Sequence, residues 1–155
     1  MEYAISQAEY KQRIERVRKV LAKRKLDALY LTNGTSMFYL TGYSFISTER
    51  PAALVIPQDG TITFLGPLLE KEHVPLETTI IKDVKTYTDY TGEKHPIEYF
   101  AEFLTEMKLT KKRIGTDSKA GALSLWRYKG PPLTVKLKRT KHVDTSDLIR
   151  SMLLI

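Results

Sequence analysis

Residues 31–56 read LTNGTSMFYLTGYSFISTERPAALVI, and this stretch decides how the chain is expected to fold. It opens on the end of an apolar strand, DALYLT, and then turns at Asn33 and Gly34, a dipeptide that strongly favours a turn. An aromatic segment and a polar loop follow, and a second apolar run, AALVI, begins behind Pro51. The order of strand, turn, short helix, loop and strand is typical of an α/β domain.

The polar loop in this stretch contains the candidate binding residues. Phe38, Leu40 and Tyr43 are predicted to be core residues, because large apolar side chains are usually buried. Phe45 and Arg50 lie in a segment without regular periodicity, and loops held on a rigid scaffold often carry function. Both are therefore predicted to lie at a binding surface.

Helical and strand patterns alternate along the rest of the chain. Ser6 and Glu9 form the capping box of a first amphipathic helix, whose apolar residues recur at helical spacing. A hairpin is predicted around the turn Pro-Gln-Asp-Gly that begins at Pro57. The predicted strands are 27–32, 52–56, 61–65, 78–87, 112–117 and 133–138, and the predicted helices are 7–25, 35–40, 68–73, 96–108, 118–128 and 147–155. This order predicts an α/β fold with a mixed β-sheet flanked by helices.

Length and composition indicate one globular domain. The chain has 155 residues, 42% of them hydrophobic and 28% charged. No cysteine is present, which excludes disulfides and thiolate metal sites. No apolar run approaches the roughly 18 residues that span a bilayer, and the amino terminus lacks the pattern of a signal peptide. We therefore expect a cytoplasmic protein without a membrane partner, and the Lys, Glu and Arg content is compatible with a thermophile.

The net charge of +7 is unevenly spread along the sequence. Residues 11–25 carry eight Lys or Arg and one Glu, and residues 108–141 carry eleven basic residues and one Asp. Such blocks can attract nucleic acid or an acidic partner, but they are also typical of a solvated basic face. No pattern of interleaved aromatic and basic residues accompanies them, so nucleic acid is not the expected partner.

The sequence shows no motif for catalysis. His73, His95 and His142 lie far apart, and no second ligand stands near any of them at helical spacing. No phosphate-binding loop and no nucleophile elbow is present. The residues alone therefore predict neither a catalytic residue nor a metal ligand in this chain.

The segment SMFYLTGYSFISTERPAALVIPQDGTITFLGP resembles the amino-terminal domain of the creatinase/prolidase/Xaa-Pro aminopeptidase family. Members of that family show an aromatic-Leu-Thr-Gly-aromatic segment, a strand, a Pro-x-Asp-Gly turn and a second strand. The resemblance runs from the first helix to the final segment VDTSDLIRSMLLI, and it is greatest to a Xaa-Pro dipeptidase. It implies that residues 1–155 form one domain of ribonuclease-H-like α/β fold.

The resemblance also implies that a second domain carries out catalysis. In this family a second, pita-bread domain holds two divalent metals (cobalt, manganese or zinc) with Asp, His and Glu ligands and hydrolyses the bond before proline. None of those ligand motifs occurs in residues 1–155, so the catalytic domain is expected to follow residue 155. The final helix stops at Met-Leu-Leu-Ile without a cap, so these residues pack either on this domain or on a missing segment. The resemblance favours the missing segment, and hence a truncated chain.

The amino-terminal domain of such enzymes supports dimerisation and places loop residues over the active site. By resemblance those residues map to Tyr43, Phe45 and Arg50, where an Arg would pair with a substrate carboxylate and an aromatic ring would pack against proline. The implied partners are a second copy of the chain, its own catalytic domain and an X-Pro peptide.

Two other functions are compatible with the same resemblance. Relatives that have lost their metals serve as protein-binding modules, as in the large subunit of a histone chaperone. A creatinase-type amidinohydrolase would differ only in its substrate. Sequence beyond residue 155 would discriminate among the three, because metal ligands are absent from a binding module.

Overall fold

A computed structural model of the protein describes residues 4–45, 50–88, 94–117 and 139–153. Within these ranges, no helix is both long and apolar enough to cross a membrane. The helices are α1 (Gln7–Lys23), α2 (Gly34–Thr41), α3 (Glu70–Glu77), α4 (Pro96–Glu106) and α5 (Ser146–Leu153). The strands are β1 (Ala28–Leu31), β2 (Ala53–Pro57), β3 (Thr63–Pro67), β4 (Asp83–Tyr87), β5 (Arg113–Thr116) and β6 (Lys141–Asp144).

The six strands form one mixed sheet in the order β4-β3-β2-β1-β5-β6. Strand β2 is antiparallel to both of its neighbours, whereas the other adjacent pairs are parallel. At the centre of the sheet Leu29 lies opposite Ile56 on one side and Gly115 on the other. The predicted mixed sheet flanked by helices is confirmed, and so is the predicted hairpin of β2 and β3.

Two hydrophobic clusters cover the two faces of the sheet. One contains Leu29 and Leu31 together with apolar residues of α1, α2, α3 and α5, and the other contains Ala28 and Tyr30 together with α4. Because alternate residues of β1 enter opposite clusters, this strand is buried on both faces, as its continuous apolar run predicts. Each large side chain buried in this way stabilises the fold by roughly 1.5–3 kcal/mol.

Local sequence signals explain where the helices begin and end. The Ser6 hydroxyl accepts a hydrogen bond from the Glu9 amide at 3.2 Å, which confirms the predicted cap of α1. Helix α2 starts at Asn33, whose side chain accepts from two amides, and stops at Gly42 with φ of +77°. A side chain at Gly42 would also meet the ring of Tyr10 at 3.0 Å, so glycine is required there.

Two predicted elements around α3 exist but have the wrong bounds. Gly66 and Pro67 end strand β3 and pair with β4, so no helix begins at residue 68, and α3 instead spans Glu70–Glu77. The predicted strand 78–87 forms only over Asp83–Tyr87. Thr78 donates from its hydroxyl to the carbonyl of Thr41 at 2.5 Å, so the start of the segment is bound to α2 and not to a strand.

The remaining points of comparison between prediction and structure concern Phe38, strand β6 and residues 118–138. Phe38 is 48% exposed, not buried, because α2 turns Met37 and Leu40 toward the core and leaves residue 38 on the outer side. Strand β6 was not predicted, and it forms at the sheet edge by parallel pairing with β5. The predicted helix 118–128 and strand 133–138 lie outside the described residues.

Candidate functional site

The direction of the strands brings several loops to one edge of the sheet. Every strand except β2 runs in the same direction, so the other strands have their carboxyl ends at this edge. Arg50 and Pro51 precede the oppositely directed β2 and therefore reach the same edge. We call this the carboxyl edge, and the residues that follow its strands are Thr32, Leu68, Thr88, Asp117 and Thr145. Ligands of open α/β sheets commonly bind at this edge.

Asp117 fixes the start of α2 at the carboxyl edge. Its carboxylate accepts hydrogen bonds from the amides of Thr32 and Asn33 at 2.8 and 2.7 Å, and from the Thr32 hydroxyl at 3.1 Å. Asn33 in turn caps α2. Hydrogen bonds to an ionised acceptor are stronger than neutral ones, so this one carboxylate holds the end of β5 against the junction of β1 and α2.

Tyr43 lies beneath the loop and in the core. Its ring meets the ring of Phe64 edge-on at 5.1 Å, and its hydroxyl donates a hydrogen bond to the carboxylate of Glu70. Burial raises the pKa of the Tyr43 phenol, and the hydrogen bond to Glu70 raises it further, so the group stays protonated. The core prediction is confirmed for Tyr43 and Leu40, which are 1% and 0% exposed.

Phe45 continues the loop back toward the start of α2. Its half-buried ring tilts against Phe64 at 5.6 Å, so Tyr43 and Phe45 share one supporting ring. Its carbonyl passes so close to Gly34 that a Cβ there would lie 2.9 Å from the oxygen. Next to it, the Ser44 amide donates to the Glu77 carboxylate at 3.0 Å. Helix α3 thus holds the first end of the loop.

Arg50 lies half-buried at the second end of the loop, directly before β2. The following residue, Pro51, accepts a buried hydrogen bond from the Tyr87 hydroxyl at 2.9 Å. The structure therefore brings Tyr43 and Phe45 together on Phe64 and places Arg50 at the other anchored end of the same loop. Of the three predicted site residues, Arg50 lies at the carboxyl edge, and Tyr43 and Phe45 pack on a ring of the sheet.

The described residues do not fit a metal centre. Within those ranges, no three His, Cys, Asp or Glu side chains are grouped so that they could hold a metal ion. Three described carboxylates contact the first end of the loop or the start of α2, and each accepts hydrogen bonds from the chain itself: Glu70, Glu77 and Asp117. The described ends of the loop carry the aromatic ring of Phe45 and the guanidinium group of Arg50.

Comparison with known proteins identifies the domain family that this chain matches. The family model of the creatinase/prolidase N-terminal domain matches residues 13–152. An uncharacterized peptidase of Staphylococcus haemolyticus is 33% identical over 104 residues, which are 65% of this chain and 29% of the relative. A proline dipeptidase structure from Streptococcus pneumoniae superposes with a TM-score of 0.72 at 22% identity, covering 92% of this chain and 97% of the other.

Several relatives are much longer than this chain. A dipeptidase structure from Mycobacterium ulcerans has a TM-score of 0.72 at 22% identity and covers 96% of this chain, but only 37% of its own length is matched. Likewise, the chain spans about 30% of the length of the curated relatives that it matches. In these three relatives the matched part is thus a minor share of the whole protein.

Proposed function

The chain belongs to the creatinase/prolidase N-terminal domain family, and from this premise we propose that it is the non-catalytic amino-terminal domain of a metal-dependent Xaa-Pro dipeptidase or aminopeptidase. Its relatives are described as peptidases and dipeptidases, and the chain matches only a minor share of the length of the longer ones. The described residues contain no metal-holding group. In this proposal a catalytic domain after residue 155 supplies the metals, and this domain shapes the substrate site.

The anchoring of the loop between Tyr43 and Pro51 is the observation that carries the proposal. Glu70 and Glu77 hold the first end through Tyr43 and Ser44, and Tyr87 holds the second end through Pro51. A loop with both ends fixed on the scaffold can present side chains to a substrate with little loss of entropy. The second end of the loop lies at the carboxyl edge, where open α/β sheets bind their ligands.

The chemistry of the loop suits an X-Pro dipeptide. A guanidinium group can donate two parallel hydrogen bonds to a terminal carboxylate, which gives Arg50 a role in orienting the substrate. The half-buried ring of Phe45 offers an apolar surface to a proline ring. Neither residue is assigned a part in bond cleavage, because both act by binding.

Arg50 provides the test of this role in the longest product of the gene. Arg50→Ala is expected to raise KM for an X-Pro dipeptide about tenfold or more with little change in kcat, since a lost charge-assisted hydrogen bond costs roughly 1.5–3 kcal/mol. Arg50→Lys should recover part of the loss. Arg139→Ala, at an exposed position before the edge strand β6, is the matched control. Equal effects of the Arg50→Ala and Arg139→Ala substitutions would contradict the proposal.

Subunit association is the second part of the proposed function. Helix α3 and the segment before it carry Leu68, Leu69 and Leu76, which are 52%, 57% and 82% exposed. The same helix holds the loop through its carboxylates, so a partner packed on these leucines would lie beside the loop. In the longest gene product, Leu76→Asp should shift the sedimentation of a dimer to that of a monomer. An unchanged dimer would exclude this surface, and Leu69→Asp would provide a second variant.

A further inference from the structure

A cleft of about 310 Å³ opens at the end of the sheet opposite to the carboxyl edge. It lies between α1, the turn before β3 and the segment before β4. Its floor consists of three isoleucines, Ile14, Ile62 and Ile80. We call it the isoleucine cleft, and its volume lies within the range of clefts that take a ligand.

The rim of the isoleucine cleft is cationic. Lys11, Arg18 and Lys82 line it, and Glu15 is the carboxylate among the lining residues. Arg18 is already committed to the chain, because it donates to the carbonyls of Pro57 and Gly60 at 3.3 and 2.5 Å and lies 3.6 Å from Glu15. Arg18 therefore forms part of the cleft wall, and its charge offsets that of Glu15.

Two ammonium groups remain to recognise a ligand. Lys11 and Lys82 line the cleft, and neither ammonium group has a hydrogen-bond or ion-pair partner among the described residues. A ligand that fits must therefore combine an aliphatic group with negative charge. Nucleic acid does not fit, because no aromatic ring lines the cleft on which a base could stack.

The dimensions of the cleft favour an extended peptide. From Lys11 to Arg18 the helix rises by roughly 10 Å at 1.5 Å per residue, the length of about three residues in extended conformation. The adjoining face of α1 carries Arg16 and Lys19 beside Lys11, so the positive charge continues past the mouth of the cleft.

From these observations we propose that the isoleucine cleft docks a short segment of a partner protein in which one aliphatic side chain is flanked by carboxylates. The aliphatic side chain packs on Ile14, Ile62 and Ile80, and the carboxylates pair with Lys11 and Lys82. The proposed docking gives the basic residues of α1 a role in binding a partner. It does not rest on the peptidase function proposed above.

The test uses the 155-residue chain with labelled isoleucine methyl groups and a capped peptide of sequence Glu-Glu-Leu-Glu-Glu. Millimolar peptide is expected to shift the methyl signals of Ile14, Ile62 and Ile80 and to leave that of the sheet residue Ile114 in place. Replacing the central leucine by glycine, or the glutamates by lysines, should abolish the shifts.

Matched double variants distinguish binding in the isoleucine cleft from a nonspecific effect of net charge. Lys11→Glu with Lys82→Glu should weaken peptide binding about tenfold, a loss of the size expected for two exposed ion pairs. Lys23→Glu with Lys71→Glu makes the same change in net charge at exposed positions outside the cleft, and it should leave binding within about twofold. Equal weakening in both variants, or no shift of the three methyl signals, would overturn the proposal.

Discussion

The hydroxyl of Tyr43 donates a hydrogen bond to the carboxylate of Glu70, and this contact joins the loop after α2 to helix α3. The two residues lie 27 positions apart in sequence. Burial raises the pKa of the phenol, so it remains a donor over the whole working range of pH. The loop that carries Phe45 and Arg50 thus begins from a fixed point in the core.

Tyr43→Phe should lower the free energy of unfolding by about 1–3 kcal/mol, because it leaves the Glu70 carboxylate without its donor. The Glu70 side chain is only 14% exposed, so water does not readily replace the phenol. Urea denaturation measures the loss. Tyr99→Phe removes a hydroxyl from a stacked, half-buried ring and serves as the control. Equal losses in the two variants would mean that the Tyr43–Glu70 contact contributes nothing particular.

Asp117→Ala should lower the free energy of unfolding by about 2–3 kcal/mol, since the Thr32 and Asn33 amides lose a charged acceptor. Hydrogen exchange of those two amides should accelerate more than exchange in β5. The exposed turn residue Asp59 provides the control through Asp59→Ala, for which no comparable loss is expected. Unchanged protection of the two amides would show that Asp117 does not hold the β1–α2 junction.

Arg13→Met should lower the free energy of unfolding by about 1–3 kcal/mol. The guanidinium group lies 4.1 Å from the centroid of the Tyr39 ring and 5.6 Å from that of Tyr10, and it donates to the Tyr39 carbonyl at 2.7 Å. Methionine fills the space but supplies neither the charge nor the donor. Arg13→Lys should give an intermediate loss in thermal denaturation. If Arg13→Lys is as stable as the parent, the planar guanidinium group is not required and a positive charge is sufficient.

The cap of α4 should depend on pH through His95. Its Nδ1 accepts from the Ile97 amide at 3.2 Å, and burial lowers the pKa of the ring from its ordinary value of 6.5, against the opposing effect of Glu98. A neutral ring is required to accept that bond. The contribution to stability is therefore complete above about pH 6.5 and is lost as the pH falls through the lower folded-state pKa.

His95→Asn tests this dependence, because asparagine caps a helix without titrating. We expect the urea midpoint of the parent to fall between about pH 7 and about pH 5, and to fall less in the variant. Parallel pH profiles of parent and variant would contradict a titrating cap.

Local patterns in the sequence predicted much of the fold. The helical spacing of α1 and α4, the apolar run of β1 and the Pro-Gln-Asp-Gly turn were sufficient for those elements. Partners distant in sequence decided the rest. Thr78 is bound to Thr41 in α2 and not to a strand, and the short, charged β6 forms at the sheet edge by pairing with β5.

The candidate site could be predicted only in part for the same reason. Phe45 and Arg50 were recognisable as loop residues, but the residues that anchor the loop region lie far away in sequence. Glu77 is 33 positions from Ser44, and Asp117 is 85 positions from Thr32. No short motif marks such contacts. A carboxylate directly after a buried strand, as at Asp117, is the one signal that could have indicated a role at the carboxyl edge.

The most direct test of the central claim is an X-Pro dipeptide hydrolysis assay with added cobalt or manganese. It compares the 155-residue chain with the longest product of the same gene, each freed of contaminating peptidase. The account predicts hydrolysis by the longer product and none by the chain alone. Hydrolysis by the 155-residue chain itself would mean that it contains a catalytic centre, and it would contradict the account.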